Sequence, residues 1–262
     1  MAGLMEGRRR WWRHWPMWLV IALALAFLYV PLVPSLVASL AGTRPGEWTL
    51  RWYADLWRTP LILTAFRSSA LVAFLVGMLA PLLGLLAALA IRELGVPRLI
   101  LLVMLLPLFI PGVSMGLASA FLFRLLGIAP SLTTIVIVQT LWALPFATLI
   151  ILTAMTTFDP QYLEAAYMAG AGRWRAFRDI ELPLIAPGIT GAVSFSAILS
   201  INETIRTSAV QGPWNTVPTY IWSTYRQVGL SPVLYALMGL IIIATIVIVL
   251  VYLLLSREAS RQ

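Results

Sequence analysis

The stretch FDPQYLEAAYMAGAGRWRAFRDIELP fills residues 158–183 and breaks an otherwise apolar chain with a mostly polar insert. Its punctuation predicts two short helices joined by a tight turn. Asp159 is a capping residue, and Pro160 suits the first turn of a helix. Leu163, Ala166 and Tyr167 follow at the spacing of one helical face. Gly170 is a natural terminator. A second short helix is expected over about 173–180, carrying Trp174, Phe177 and the arginines Arg173, Arg175 and Arg178. Leu182-Pro183 should end it. Ala165 and Ala166 permit close approach by another surface. Trp174 and the arginines suit an interface, where aromatic residues and Arg are enriched. A hairpin that merely joins two apolar segments is the competing reading of the same residues.

The sequence around this insert is that of a membrane protein. Of 262 residues, 61% are hydrophobic and 11% charged, against roughly 25% charged in a soluble domain. The mean hydropathy is +0.92. Six apolar runs are near the length of about 20 residues that crosses a bilayer: 18–39, 68–91, 99–123, 132–155, 184–201 and 233–255. The expected class is an all-α membrane protein with six transmembrane helices, with the 158–183 insert between spans four and five.

All 18 basic side chains are Arg. The absence of Lys excludes a phosphate loop ending in Gly-Lys-Ser/Thr, and with it ATPase chemistry of that kind in this chain. The absence of Cys excludes disulfides, thiol catalysis and thiolate metal sites. The lone histidine, His14, sits beside an arginine cluster and reads as interfacial, so no metal site is expected. A pI of about 10.6 in so apolar a chain points to loops facing anionic lipid, not to nucleic acid.

Six spans place both termini on one side. With the N-terminus inside, the inner segments hold Arg8, Arg9, Arg10, Arg13, Arg92, Arg98, Arg173, Arg175, Arg178, Arg257 and Arg261. The outer segments hold Arg44, Arg51, Arg58, Arg67, Arg124, Arg206 and Arg226. The bias favours cytoplasmic termini. The expected organisation is a basic cytoplasmic N-terminus (1–17), a first span with an outer segment (18–59), a core (60–255) and a cytoplasmic tail (256–262). A cleaved signal peptide competes for the first run, but the run is long for one and no small-x-small site follows it. Pro81, Pro107, Pro111 and Pro145 fall within spans and favour kinks. Gly84, Gly112, Gly116 and Gly191 allow close helix approach. Such kinks serve either ordinary packing or a pathway that opens and closes.

Glu164-Ala165-Ala166, then Gly170, then Ile180-x-Leu182-Pro183 matches the EAA motif at every position and spacing. On it the chain resembles the permeases of ATP-binding-cassette importers, of type I architecture, over about 60–255. The resemblance implies that the short helix of this loop is a cytoplasmic coupling helix seated in a cleft of a separate ATPase, with Glu164, Ala165, Ala166, Gly170, Arg173, Trp174, Ile180, Leu182 and Pro183 in or beside the contact. It implies two copies of the ATPase, which would hold the ATP and Mg, none being bound here. It also implies a second permease subunit and an extracytoplasmic solute-binding protein.

Ser200-Ile201-Asn202-Glu203, Gly212-Pro213, Val217-Pro218-Thr219-Tyr220-Ile221-Trp222-Ser223 and Pro232 with Ala236-Leu237 are similar to the second permease subunit of polyamine importers. That branch implies a partner permease of different sequence and a polyamine-like solute. It also implies that the segment around Asn202 and Glu203 faces the pathway. Asn202 stands where that branch has Asp, Tyr235 where it has Asn, and Arg67 where an Asn is common. A polycation wants carboxylates and aromatic faces. Arg206, three residues after Glu203 on one helical face, can neutralise the carboxylate. Two readings stand for Asn202, Glu203 and Arg206: an outer gate meeting solute, or a structural ion pair. Trp48, Trp52, Trp57, Trp214 and Trp222 in the outer segments read either as interfacial anchors or as a docking face for the binding protein. A secondary transporter driven by an ion gradient is the rival function. It needs acidic residues or unwound helices near the midplane.

Overall fold

A computed structural model describes residues 15–44, 46–94 and 97–259. The basic N-terminus with Arg8, Arg9, Arg10, Arg13 and His14, and Arg261 in the tail, lie outside the described residues. The described residues are predominantly helical. Among the described residues the only extended pairing is an isolated antiparallel bridge between Ala41 and Trp48. Two compact units result: one from residues 1–59 with 224–262, the other from 60–223.

In the first unit, α1 (Trp15–Tyr29) and α2 (Val33–Leu40) flank a 3-10 turn at Val30–Leu32. Pro31 and Pro34 remove donors there and cause the change of pitch. No residue of α1 is buried; an apolar helix bare on every side is one solvated by lipid. A short α3 (Arg51–Leu56) and the long α13 (Pro232–Ala259) complete this unit. Gly239 on α13 meets Ser39 and Tyr53, whose hydroxyls are 2.7 Å apart.

The second unit is a bundle of α4 (Pro60–Glu93), α7 (Leu132–Thr157) and α10 (Leu182–Ile201). Its core holds Val72, Val76 and Ala80 of α4, Ile135, Ala147 and Ile151 of α7, and Ile185 and Ala192 of α10. Small residues set the spacing. A β-carbon on Gly84 would lie 2.9 Å from the Thr148 backbone nitrogen, and one on Gly188 would collide with the Ala154 β-carbon. With lipid outside, such van der Waals closeness replaces the hydrophobic effect as the force between helices.

The expected third span is not one helix. α5 (Pro97–Phe109) and α6 (Gly112–Leu125) meet at an angle of 101°. Pro111 causes the break: it has no N–H for the Pro107 carbonyl, and it forces Ile110 out of helical geometry. Its own ψ is 136°, and it becomes the N-cap of α6. Among the described residues four continuous helical segments, Trp15–Leu40, Pro60–Glu93, Leu132–Thr157 and Arg173–Ile201, are long and apolar enough to cross a membrane, and five are if the bent pair counts as one. Between the fifth and sixth apolar runs lie α11 (Ile205–Val210) and α12 (Val217–Val228).

Candidate functional site

The insert at 158–183 folds as a helical hairpin. α8 (Gln161–Met168) begins where the Asp159 carboxylate accepts the Gln161 N–H at 3.0 Å. It ends in a Schellman motif: Gly170 N–H donates to the Tyr167 carbonyl and Ala171 N–H to the Ala166 carbonyl, both at 3.0 Å. Gly170 takes φ +83°, with open space where a side chain would stand. Its requirement is thus conformational, not steric. Glu164, Ala165, Gly170, Arg173 and Trp174 are exposed, and Met168 is 90% exposed, while Ala166 is buried and Ile180 half-buried. Trp174 lies against Phe177 with ring centres 5.7 Å apart.

Leu182-Pro183 does not end the second helix, contrary to expectation. α9 (Arg173–Ala176) passes through a π-turn at Phe177–Glu181 and runs straight into α10. The Leu182 N–H reaches back to the Phe177 carbonyl, and Pro183 falls in the first turn of α10, where its missing donor costs least. The second helix of the hairpin is therefore a continuous extension of a bundle helix. Glu181, inside this turn, is 1% exposed and pairs with Arg92 at the end of α4.

At the other end of α10 lies the second cluster. Glu203 and Arg206 do not share a helical face. α10 stops at Ile201, with Asn202 as its cap, and α11 starts at Ile205. Glu203 sits in the break and caps α11: its carboxylate accepts the Arg206 backbone N–H at 2.9 Å and Arg206 Nη1 at 2.7 Å. Both side chains are about nine-tenths buried. The guanidinium carbon lies 3.7 Å from the Trp142 ring centre, and Nε points at Met115 Sδ, 3.3 Å away. A β-carbon on Gly112 would lie 3.1 Å from the guanidinium carbon, so only Gly at the head of α6 leaves room. Gln139 on α7 ties α10 to α11, accepting from the Ser200 hydroxyl at 2.5 Å and donating to the Thr207 hydroxyl at 2.7 Å. Asn202 is exposed and donates to the Ile198 carbonyl.

Trp142, Met115, Gln139, Arg92 and Glu181 were not singled out from sequence, because their partners lie far along the chain. The one available signal was an acidic residue, Glu181, abutting an apolar run. The two clusters sit at opposite ends of α10, whose 20 residues span about 30 Å. Among the described residues no three His, Cys, Asp or Glu side chains gather as a metal site would require.

A family model described as "Binding-protein-dependent transport system inner membrane component" matches residues 1–259. The spermidine/putrescine transport system permease protein PotC of Escherichia coli (strain K12) is 30% identical over 246 residues, covering 90% of this chain and 92% of that protein. The putrescine transport system permease protein PotI of the same strain is 26% identical over 257 residues, covering 93% and 91%. A putative 2-aminoethylphosphonate transport system permease protein, PhnV, of Salmonella typhimurium (strain LT2) is 29% identical over 217 residues, covering 77% and 79%. A chain of a bacterial alginate ABC transporter, in complex with alginate pentasaccharide-bound periplasmic protein, superposes with a TM-score of 0.66 at 20% identity, covering 97% of this chain and 95% of that one. That likeness shows a shared fold.

Proposed function

The chain belongs to the binding-protein-dependent transport system inner membrane components, and from that membership we propose how this permease subunit of an ABC importer is coupled and what it carries. It is a multi-pass inner-membrane protein forming half of the solute pathway. The coupling element is the hairpin of α8 and α9, with Glu164, Ala165, Gly170, Arg173 and Trp174 facing the ATPase, Ala166 buried within the hairpin, and Ile180, Leu182 and Pro183 anchoring it to α10. The observation that carries this reading is the hairpin itself: exposed Glu164 and Ala165 on α8, joined by a tight turn to α9, which continues into a bundle helix. A push on such a hairpin reaches the bundle through continuous backbone.

The remaining parts follow from the same reading. Six spans, counting the bent pair as one and α13 as the last, put both termini in the cytoplasm beside the hairpin. Two ATPase subunits hold the ATP and Mg. The second permease is a different chain, as in the polyamine branch, and a binding protein delivers the solute from outside. The proposed solute is a polyamine or a related small amine, supported by the relatives named for spermidine, putrescine and 2-aminoethylphosphonate. Glu203, held by Arg206, is not a free carboxylate for such a cation, which shifts selectivity toward the binding protein. The gradient-driven alternative would need a carboxylate for its coupling ion, and the buried carboxylates of the second unit, Glu181 and Glu203, are each tied to an arginine. Copurification tests the proposal. An ATPase subunit should come down with the tagged chain and be lost when Gly170 is replaced by Val; retention of the ATPase and of transport in that variant would overturn it.

A further inference from the structure

Glu181 belongs to the hairpin but not to its exposed face. It is 1% exposed at the end of the π-turn. Its carboxylate meets Nη1 of Arg92, a residue 89 positions earlier in the last turn of α4. Arg92 is partly open, with its side chain 37% exposed, and its Nε also donates to Glu93 at 3.1 Å. The π-turn has i→i+5 bonding, one residue more per turn than an α-helix, and Glu181 is its last residue.

The hairpin packs on itself and on α10, while α4 packs along α5, α7 and α10. The charged link from the hairpin to α4 is this ion pair. Taking a carboxylate so far from water is costly, and separating it from its arginine would leave that cost unmet. The pair therefore stays closed while the hairpin moves. An apolar pair could hold the two helices equally well, but it would slide; a hydrogen-bonded pair fixes register.

We propose that Arg92 and Glu181 are positioning residues for transport, a second tie by which hairpin movement reaches α4 as well as α10, so that both helices move as one body. This rests on the hairpin being the coupling element. Without the tie, ATP hydrolysis would move α10 and leave α4 behind.

Spin-label distances on the assembled importer test this, and a chain without cysteine suits the method. Labels replace Leu86 on α4 and Arg178 on the π-turn, both exposed. The distance is read without nucleotide and with ATP and vanadate. It should stay within about 2 Å in the parent chain, the scale of an ordinary helix shift. In Arg92→Gln it should change by about 5 Å, one helical turn, between the two states. The charge exchange Arg92→Glu with Glu181→Arg should restore the constant distance, whereas Arg92→Glu alone should not. A constant distance in Arg92→Gln overturns the tie. If Arg92→Gln does not assemble, the exchange decides: an assembled exchange variant with the constant distance supports the tie, and one in which the distance still shifts, or one that also fails to assemble, overturns it. Failure of the coupling reading is seen separately, in an ATPase that stays bound and active in transport with Gly170→Val.

Discussion

The Glu203–Arg206 pair can be dissected by a double-mutant cycle whose outcome the geometry fixes. Arg206→Gln leaves the Glu203 carboxylate with one backbone N–H and no counter-charge. Removing one member of a buried pair costs about 3–5 kcal/mol, and loss of the desolvated contact with Trp142 contributes about 2 kcal/mol where the cation is buried. Glutamine's own amide can still donate to Glu203, so a net loss of about 4 kcal/mol is expected. Glu203→Gln keeps an acceptor for the backbone N–H and leaves the guanidinium on Trp142, so its loss should be about 3 kcal/mol, the low end of the same range. The double variant has no stranded charge. With a coupling energy of about 3 kcal/mol, the upper end for contacting residues, it should lose no more than Arg206→Gln alone. Unfolding by detergent titration in mixed micelles, followed by tryptophan fluorescence, gives the four stabilities. Losses that add to within about 0.5 kcal/mol, as for independent sites, would refute the ion-pair reasoning. Putrescine uptake by the same variants separates the gate reading: uptake lost in Glu203→Gln beyond that lost in the less stable Arg206→Gln assigns Glu203 a role toward solute.

Other expectations follow from the packing and the hairpin. Gly112→Ala drives a β-carbon against the Arg206 guanidinium and should cost about 1–3 kcal/mol in the same titration. Gly84→Ala and Gly188→Ala should each destabilise measurably. Gly191→Ala, whose nearest neighbour is 3.9 Å away, should be neutral within about 0.5 kcal/mol. Glu164→Lys should abolish ATPase association in copurification while the chain still inserts and fractionates with the membrane. The purified chain free of partners should show no ATPase turnover in a phosphate-release assay. Native mass spectrometry of the complex should find one copy of this chain beside a different permease.

Much of the fold was legible because its signals are local. The hairpin's ends are written in Asp159 and Gly170: Gly170 ends α8 as its residue type requires, while Asp159 bonds the Gln161 N–H from one position before the N-cap, which Pro160 holds. The long helices are written in hydropathy. Pro111 was legible as a kink, but not as a right-angle break: the size of the bend depends on what the two halves pack against. The π-turn was not legible, because Leu182-Pro183 reads as a stop in isolation and only the preceding extra residue lets the helix continue. The candidate site divides the same way. The EAA residues share one contiguous stretch, whereas Arg206 takes its partners from α6 and α7, and Glu181 takes its partner from the far end of α4. No periodicity in the sequence encodes such pairings, since each depends on helices already being assembled.

The broken α5–α6 segment bears on how the chain enters its membrane. At 13 and 14 residues its halves are about 20 Å long, against a hydrocarbon core of about 30 Å. Neither half can cross alone, and the 101° bend shortens their combined reach. The first N–H groups of α6 have no partner within their own helix and cannot be left facing lipid tails. The segment is stable in the bilayer only once α7 and α11 stand beside it, and both are synthesised later. Its insertion is therefore an act of folding rather than of partitioning, and the nascent chain must hold this segment in waiting until the residues that shelter it have emerged.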